Sequence, residues 1–238
     1  MLAIRKVFML RRLPIYFIFV MLVAACASPG GVRIDNIPMY GQPEVERPPV
    51  LQQADEDFIK DVTTKIPNRK DASKVWWAKA EKFMAQGNID YAMRRYNQSW
   101  LLDPENYQPY WGFARVSLEQ GKTAQALEFL NKAKELINDP YQEVALLADT
   151  GTAYTAMAET ASESDKERYF TLANENFSAS TELEPKYANS WRRWAFSLYE
   201  QGKYSEAWVK VRRARELNAR PFPESFITTL SQQPTENN

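Results

Sequence analysis

The chain has 238 residues, 45% hydrophobic and 13% aromatic, which is apolar material enough for the core of one ordinary domain. Thirty basic and thirty acidic side chains cancel, but residues 1–25 hold Arg5, Lys6, Arg11 and Arg12 and no acid. The remainder is therefore net about −4, which speaks against a basic nucleic-acid-binding surface. The absence of His removes the commonest general base and metal ligand, and a single Cys excludes an internal disulfide.

Residues 1–12 are rich in Arg and Lys, residues 13–25 are almost wholly apolar, and Ala24 and Ala25 stand directly before Cys26. That order reads as a secretory signal. About 13 apolar residues would span roughly 20 Å as a helix, short of a hydrocarbon core of about 30 Å, so a permanent membrane span is disfavoured. The run Val23-Ala24-Ala25-Cys26 resembles the lipobox of bacterial lipoproteins. The resemblance implies cleavage before Cys26 and attachment of acyl chains such as palmitate to that residue. Each buried methylene adds about 0.8 kcal/mol of membrane affinity, so several chains make a stable anchor. Ala27, where an Asp would favour retention at the inner membrane, implies the outer membrane facing the periplasm.

Residues 26–54 carry Pro29, Pro38, Pro43, Pro48 and Pro49 plus three Gly without helical period, and are expected to be a flexible linker. As a coil they would span roughly 30 Å. In residues 55–70, Phe58, Ile59, Val62 and Ile66 recur at helical spacing, which predicts a short helix packing on the body, then a connection. All seven Trp lie between Trp76 and Trp208, which places the main core later in the chain.

Residues 71–219 repeat. Trp76 and Tyr110, Gly87 and Gly121, and Ala92 and Ala126 stand 34 residues apart. The first unit (about 73–106) supplies Trp76, Ala80, Phe83, Gly87, Ala92, Tyr96 and Pro104. The second (107–140) supplies Tyr110, Phe113, Ala114, Gly121, Ala126, Leu130 and Ala133. The last (188–219) supplies Trp191, Trp194, Ala195, Leu198, Gly202, Ala207, Val211 and Ala214, and its turn Glu200–Lys203 repeats Glu119–Lys122 residue for residue. Between them a degenerate unit (144–187) keeps Leu147, Gly151, Tyr154, Ala173, Phe177 and Pro185, with ten extra residues read as lengthened helices meeting at Ser162–Asp165, where Ser164 and Glu167 form a capping box.

Period and pattern resemble tetratricopeptide repeats, an all-α solenoid of helix-turn-helix units. In that family the first helix of each unit lines a concave groove. Carried over by position, the groove residues are Lys74, Trp77, Glu81 and Met84, then Gln108, Trp111, Arg115 and Leu118, then Asn189, Arg192, Phe196 and Tyr199. Trp77 and Trp111 are expected to be an exposed pair wanting a protein or peptide partner, or to bury against the N-terminal segment or against the helix at 55–66. The Lys and Asn set that clamps a peptide carboxylate in chaperone-binding members is missing. Residues 220–238 offer Phe222, Phe226, Ile227 and Leu230, expected to cap the open end, and a tail expected to be disordered after Ser231.

The basic run Lys210, Arg212, Arg213 and Arg215 reads as a solvated face, and Trp191 and Trp194 as scaffold. No P-loop, nucleophile elbow, His-Glu-x-x-His or paired cysteines occur, so neither an enzyme nor a cofactor is expected. The reading is a membrane-anchored periplasmic scaffold or adaptor that helps assemble or position an envelope complex, in the manner of pilotins or hydrolase adaptors. Alternatives are a self-associating structural subunit of an envelope or export machine, using helix 152–161, and a glycan-binding or hydrolytic protein. The last would need carboxylates converging beside Trp77 and Trp111.

Overall fold

A computed structural model describes residues 33–234, which leaves the signal segment, Cys26 and the last four residues outside the described part. Among the described residues there are ten α-helices and no strand. Four hairpins form the array: α2 (Arg69–Ala85) with α3 (Ile89–Leu102), α4 (Tyr107–Glu119) with α5 (Thr123–Leu136), α6 (Pro140–Thr160) with α7 (Glu163–Leu183), and α8 (Ala188–Glu200) with α9 (Tyr204–Glu216). Helix α1 (Pro49–Lys65) precedes them and α10 (Glu224–Ser231) follows.

Local chemistry sets the ends of these helices. The side chains of Asn68, Asn88, Asn106 and Asp139 accept hydrogen bonds from the first free amides of α2, α3, α4 and α6. Three of the turns inside hairpins reverse at Gly87, Gly121 and Gly202, each with φ near +71°, a left-handed conformation that only glycine adopts without cost. In all three the glycine amide and the following amide return to carbonyls of the last helical turn, for example Gly121 N to Leu118 O at 2.9 Å and Lys122 N to Ser117 O at 2.8 Å.

The third hairpin is built from two 21-residue helices, as the ten extra residues require. Its first helix starts at Pro140, four residues before the expected 144, because Asp139 caps it and Pro suits the first helical position. Its second helix is capped at Ser162 and not by a Ser164–Glu167 box. The Ser162 hydroxyl bonds to the side chains of Ser164 and Asp165 and to no backbone amide of the first turn, so no capping box forms.

Small residues hold the paired helices close. Ala80, Ala92, Ala114, Ala126, Ala133, Ala195, Ala207 and Ala214 are fully buried, with Tyr96, Phe113, Phe177 and Leu130 filling the spaces beside them. A Cβ at Gly112 would overlap the Tyr96 ring, and one at Gly151 would lie 2.9 Å from Phe177. A methyl added at either site overpacks the core.

The linker expectation is overturned for residues 33 onward. Two short 3-10 turns, Ile34–Asn36 and Pro38–Gly41, pack on α3, and Tyr40 and Gly41 are buried. Asn97, wholly buried on α3, donates to the carbonyls of Asp35 (3.0 Å) and Ile37 (2.8 Å) and accepts from the Tyr40 amide (3.3 Å). The Tyr40 ring meets Trp100 edge-on at 6.3 Å, with the Arg47 guanidinium 3.6 Å above it. These contacts hold Met39 and Tyr40 at positive φ, which costs about 1–2 kcal/mol each. Helix α1 then begins at Pro49 and not at residue 55, because a prolyl ring in the first turn suits a helix start and Arg47 pairs with Asp55 from outside it. Phe58, Ile59, Val62 and Ile66 form a small satellite core with Ala72, Trp76 and Leu102.

Candidate functional site

The first helices of successive hairpins touch one another and form one continuous layer: α2 meets α4, and α6 meets α8. A polar chain runs along it. Arg115 Nη1 donates to both carboxylate oxygens of Glu81 (2.8 and 2.7 Å), and the Tyr96 hydroxyl donates to Glu81 Oε1 (2.5 Å). Burial disfavours the Arg115 cation, yet the Glu81 carboxylate outweighs it and holds the guanidinium above its usual value. Burial first, and Glu81 second, push the Tyr96 phenol far up, so Tyr96 stays a donor. Farther along, the Trp111 indole N–H donates to Asp149 Oδ2 (2.6 Å), and Arg193 of α8 forms an ion pair with Asp149 Oδ1. Thr155 and Ser197 share a hydrogen bond of 2.7 Å between α6 and α8.

These contacts relocate several expected groove residues. Trp77, Met84, Trp111 and Leu118 are half-buried against the main core, so Trp77 and Trp111 are not an exposed pair. Neither packs on α1; Trp76 does so instead, with its ring 5.5 Å from Phe58. Glu81 and Arg115 face each other and neutralise one another. Arg192, Phe196 and Tyr199 are covered by the end of their own chain. Phe196 lies 5.4 Å from Phe222 and 4.4 Å from Phe226, Tyr199 lies 5.4 Å from Phe226, and Arg192 Nε donates to the Arg220 carbonyl at 3.0 Å. Residues 219–231, which follow the last hairpin, fold back to cover its apolar side.

What remains open is a cavity of about 200 Å3 between α6, α7 and α8. Thr155, Ala156, Phe177 and Phe196 form its floor, and Thr152, Glu159, Arg193 and Glu200 its rim. Arg193 is already neutralised by Asp149, while Glu159 and Glu200 have no paired cation among the described residues. Burial first and the Glu159 charge second raise the Glu200 carboxyl above its ordinary value. Asp149, Thr152 and Glu159 are missed by sequence reasoning because the 34-residue period is interrupted in the third unit, and Arg193 and Glu200 because they fall outside the groove positions carried over to the fourth. A second cavity, of about 510 Å3, opens at the other end of the array and is lined by Trp76, Lys79, Lys82, Phe83, Gln86 and Arg95. No group of acids or Cys among the described residues is arranged to hold a metal ion.

Residues 83–149 match the tetratricopeptide-repeat model. That segment carries tetratricopeptide repeats, and the hairpins on either side of it continue the same helical fold. The match runs from the end of α2 to the middle of α6 and so includes the whole second repeat. Among solved structures, the thermophilic tetratricopeptide-repeat protein TTC0263 of Thermus thermophilus superposes with a TM-score of 0.55 at 18% identity, covering 61% of this chain and 74% of that one. Two structures of MamA give TM-scores of 0.47 and 0.48 at 15% and 16% identity, covering 73% of this chain and 96% and 93% of theirs. At such identities the likeness concerns the fold alone. No curated protein matches the sequence. Tetratricopeptide-repeat proteins are generally non-catalytic scaffolds that bind protein or peptide partners, and the layer of first helices is where this array offers an unfilled recess.

Proposed function

We propose that this protein is a membrane-anchored periplasmic scaffold, held at the outer membrane by lipid on Cys26, whose repeat array captures a segment of a partner in assembling or positioning an envelope complex. The observation that carries the binding reading is the recess between α6 and α8, an apolar floor beneath two unpaired carboxylates, Glu159 and Glu200. An aliphatic stem bearing a cation, such as a partner's Lys or Arg side chain, matches that combination of floor and rim. The anchor reading is supported by the charged, apolar and small-residue order that ends at Cys26.

A photo-crosslinking amino acid placed at Thr152, exposed at the rim, is expected to trap one discrete partner in cells; the same probe at Tyr141, which is 82% exposed, serves as a control. The adduct should vanish in the Glu159→Lys/Glu200→Lys variant. Equal labelling from both positions, or an adduct indifferent to the two charge reversals, would remove the recess as the binding site.

A further inference from the structure

We propose that the cationic cavity at the N-terminal end of the array, between α2 and α3, is the face on which the anchored protein rests against anionic phospholipid headgroups. The inference builds on the lipid-anchor reading and adds an orientation to it. Trp76 and Phe83 provide aromatic walls, Lys79, Lys82 and Arg95 provide three cations, and no acid lines the cavity. None of the three cations is paired with a carboxylate among the described residues. Lys79 lies 3.5 Å over the Trp76 ring, and Arg95 donates to the neutral Gln98 amide at 2.5 Å. Burial first, then the Arg95 and Lys65 charges, lower the Lys79 ammonium. Such a cluster stands out on a body that is net acidic beyond residue 25.

The cavity is open because, among the described residues, no helical hairpin packs on this side of α2. Helix α1 covers this end only as far as Trp76, through Phe58, and leaves the later turns of α2 bare.

Chain length supplies the occupant. Six residues stand between Cys26 and Arg33, the first described residue, so a lipid on Cys26 lies at most about 25 Å of extended chain from the body. From Arg33 a run of side-chain contacts leads to the cavity: Arg33 to Asp35 (3.1 Å), Asp35 to Arg94 (3.2 Å), Arg94 over Tyr91 (4.9 Å) and Tyr91 stacked on Phe83 (5.3 Å). The cavity and this run together combine Lys, Arg, Trp and Tyr, the set that occupies the headgroup layer. Attraction of each cation to an anionic leaflet acts within about one Debye length, roughly 8 Å at physiological salt, so it needs the short tether and is weakened by added salt.

The acylated full-length protein, reconstituted in vesicles of phosphatidylcholine alone or mixed with phosphatidylglycerol, tests this by amine acetylation read residue by residue. Lys79 and Lys82 are expected to react about fivefold more slowly on the anionic vesicles and to recover in high salt, while Lys186 and Lys203 react alike on both. Equal rates for Lys79 and Lys82 on the two vesicles overturn the proposal. Equal protection by inorganic phosphate in detergent overturns it too, assigning the cavity to a soluble anion. The mass of the N-terminal peptide from the same preparation reports on Cys26. An acylated Cys26 with unprotected lysines defeats this inference alone, whereas an unmodified Cys26 defeats the anchor reading and this one with it.

Discussion

Glu81 accepts three hydrogen bonds, from Arg115 twice and from Tyr96, and joins the first two hairpins at one point. Changing Glu81→Gln keeps the volume and removes the charge, leaving a half-buried guanidinium without its counter-ion. The expected loss is about 2 kcal/mol in urea unfolding. Glu200 should behave in the opposite way. Its folded pKa is raised, so the protonated form is favoured by folding; the stability this contributes is present below the ordinary carboxylate value of 4.5 and is lost as pH rises through the folded value. Glu200→Gln is accordingly expected to raise the melting temperature slightly at neutral pH and to flatten its change on acidification. An unchanged or lower melting temperature at pH 7 would contradict the burial argument. A cation bound beside Glu159 and Glu200 would relieve the same penalty, which links this residue's cost to the proposed binding role.

At the scale of elements, the turns over residues 34–41 depend on Asn97 more than on their own composition. Asn97→Ala removes three hydrogen bonds at once and is expected to abolish amide protection over residues 34–45 while α4 to α9 keep theirs in hydrogen exchange. Tyr40 adds a pH dependence. Burial first and Asp55 second raise its phenol from 10.0 to about 12, so the docked segment keeps its full stability below pH 10 and loses it as pH rises through about 12. The Pro and Gly content of this stretch suggests a free linker, because it has neither period. Those residues serve instead as an irregular strap whose side chains fit one helix surface.

On the scale of the whole molecule, stability passes between neighbouring hairpins, and each end needs a cover. Residues 219–231 cover the last hairpin through Phe222, Phe226 and Leu230. A chain ending at Asn218 is expected to lose helical circular dichroism from α8 and α9 and to self-associate, with α4 and α5 still protected. Unaltered protection of α8 in that variant would mean that the last hairpin is self-sufficient. The same cover withdraws Arg192 and Tyr199 from any partner and leaves Phe196 open only toward α6, where it lines the recess.

The all-α repeat architecture was legible in the sequence because it depends on local and periodic quantities. Small residues recur where helices cross, glycine recurs where φ must be positive, and aromatics recur at a spacing of 34. The identity of the exposed surface was not legible. Trp77 and Trp111 follow their core neighbours by one position and still find apolar contacts, because half-burial of a large side chain depends on what lies beside it in space. Glu159, Glu200, Lys79 and Lys82 look like ordinary helix charges along the chain, and only packing shows which of them lack a counter-charge. Periodicity is a property of neighbours along one helix, whereas exposure and charge pairing are set by distances between helices. The sequence alone therefore determined the fold, and the tertiary structure decided which of its faces remain free.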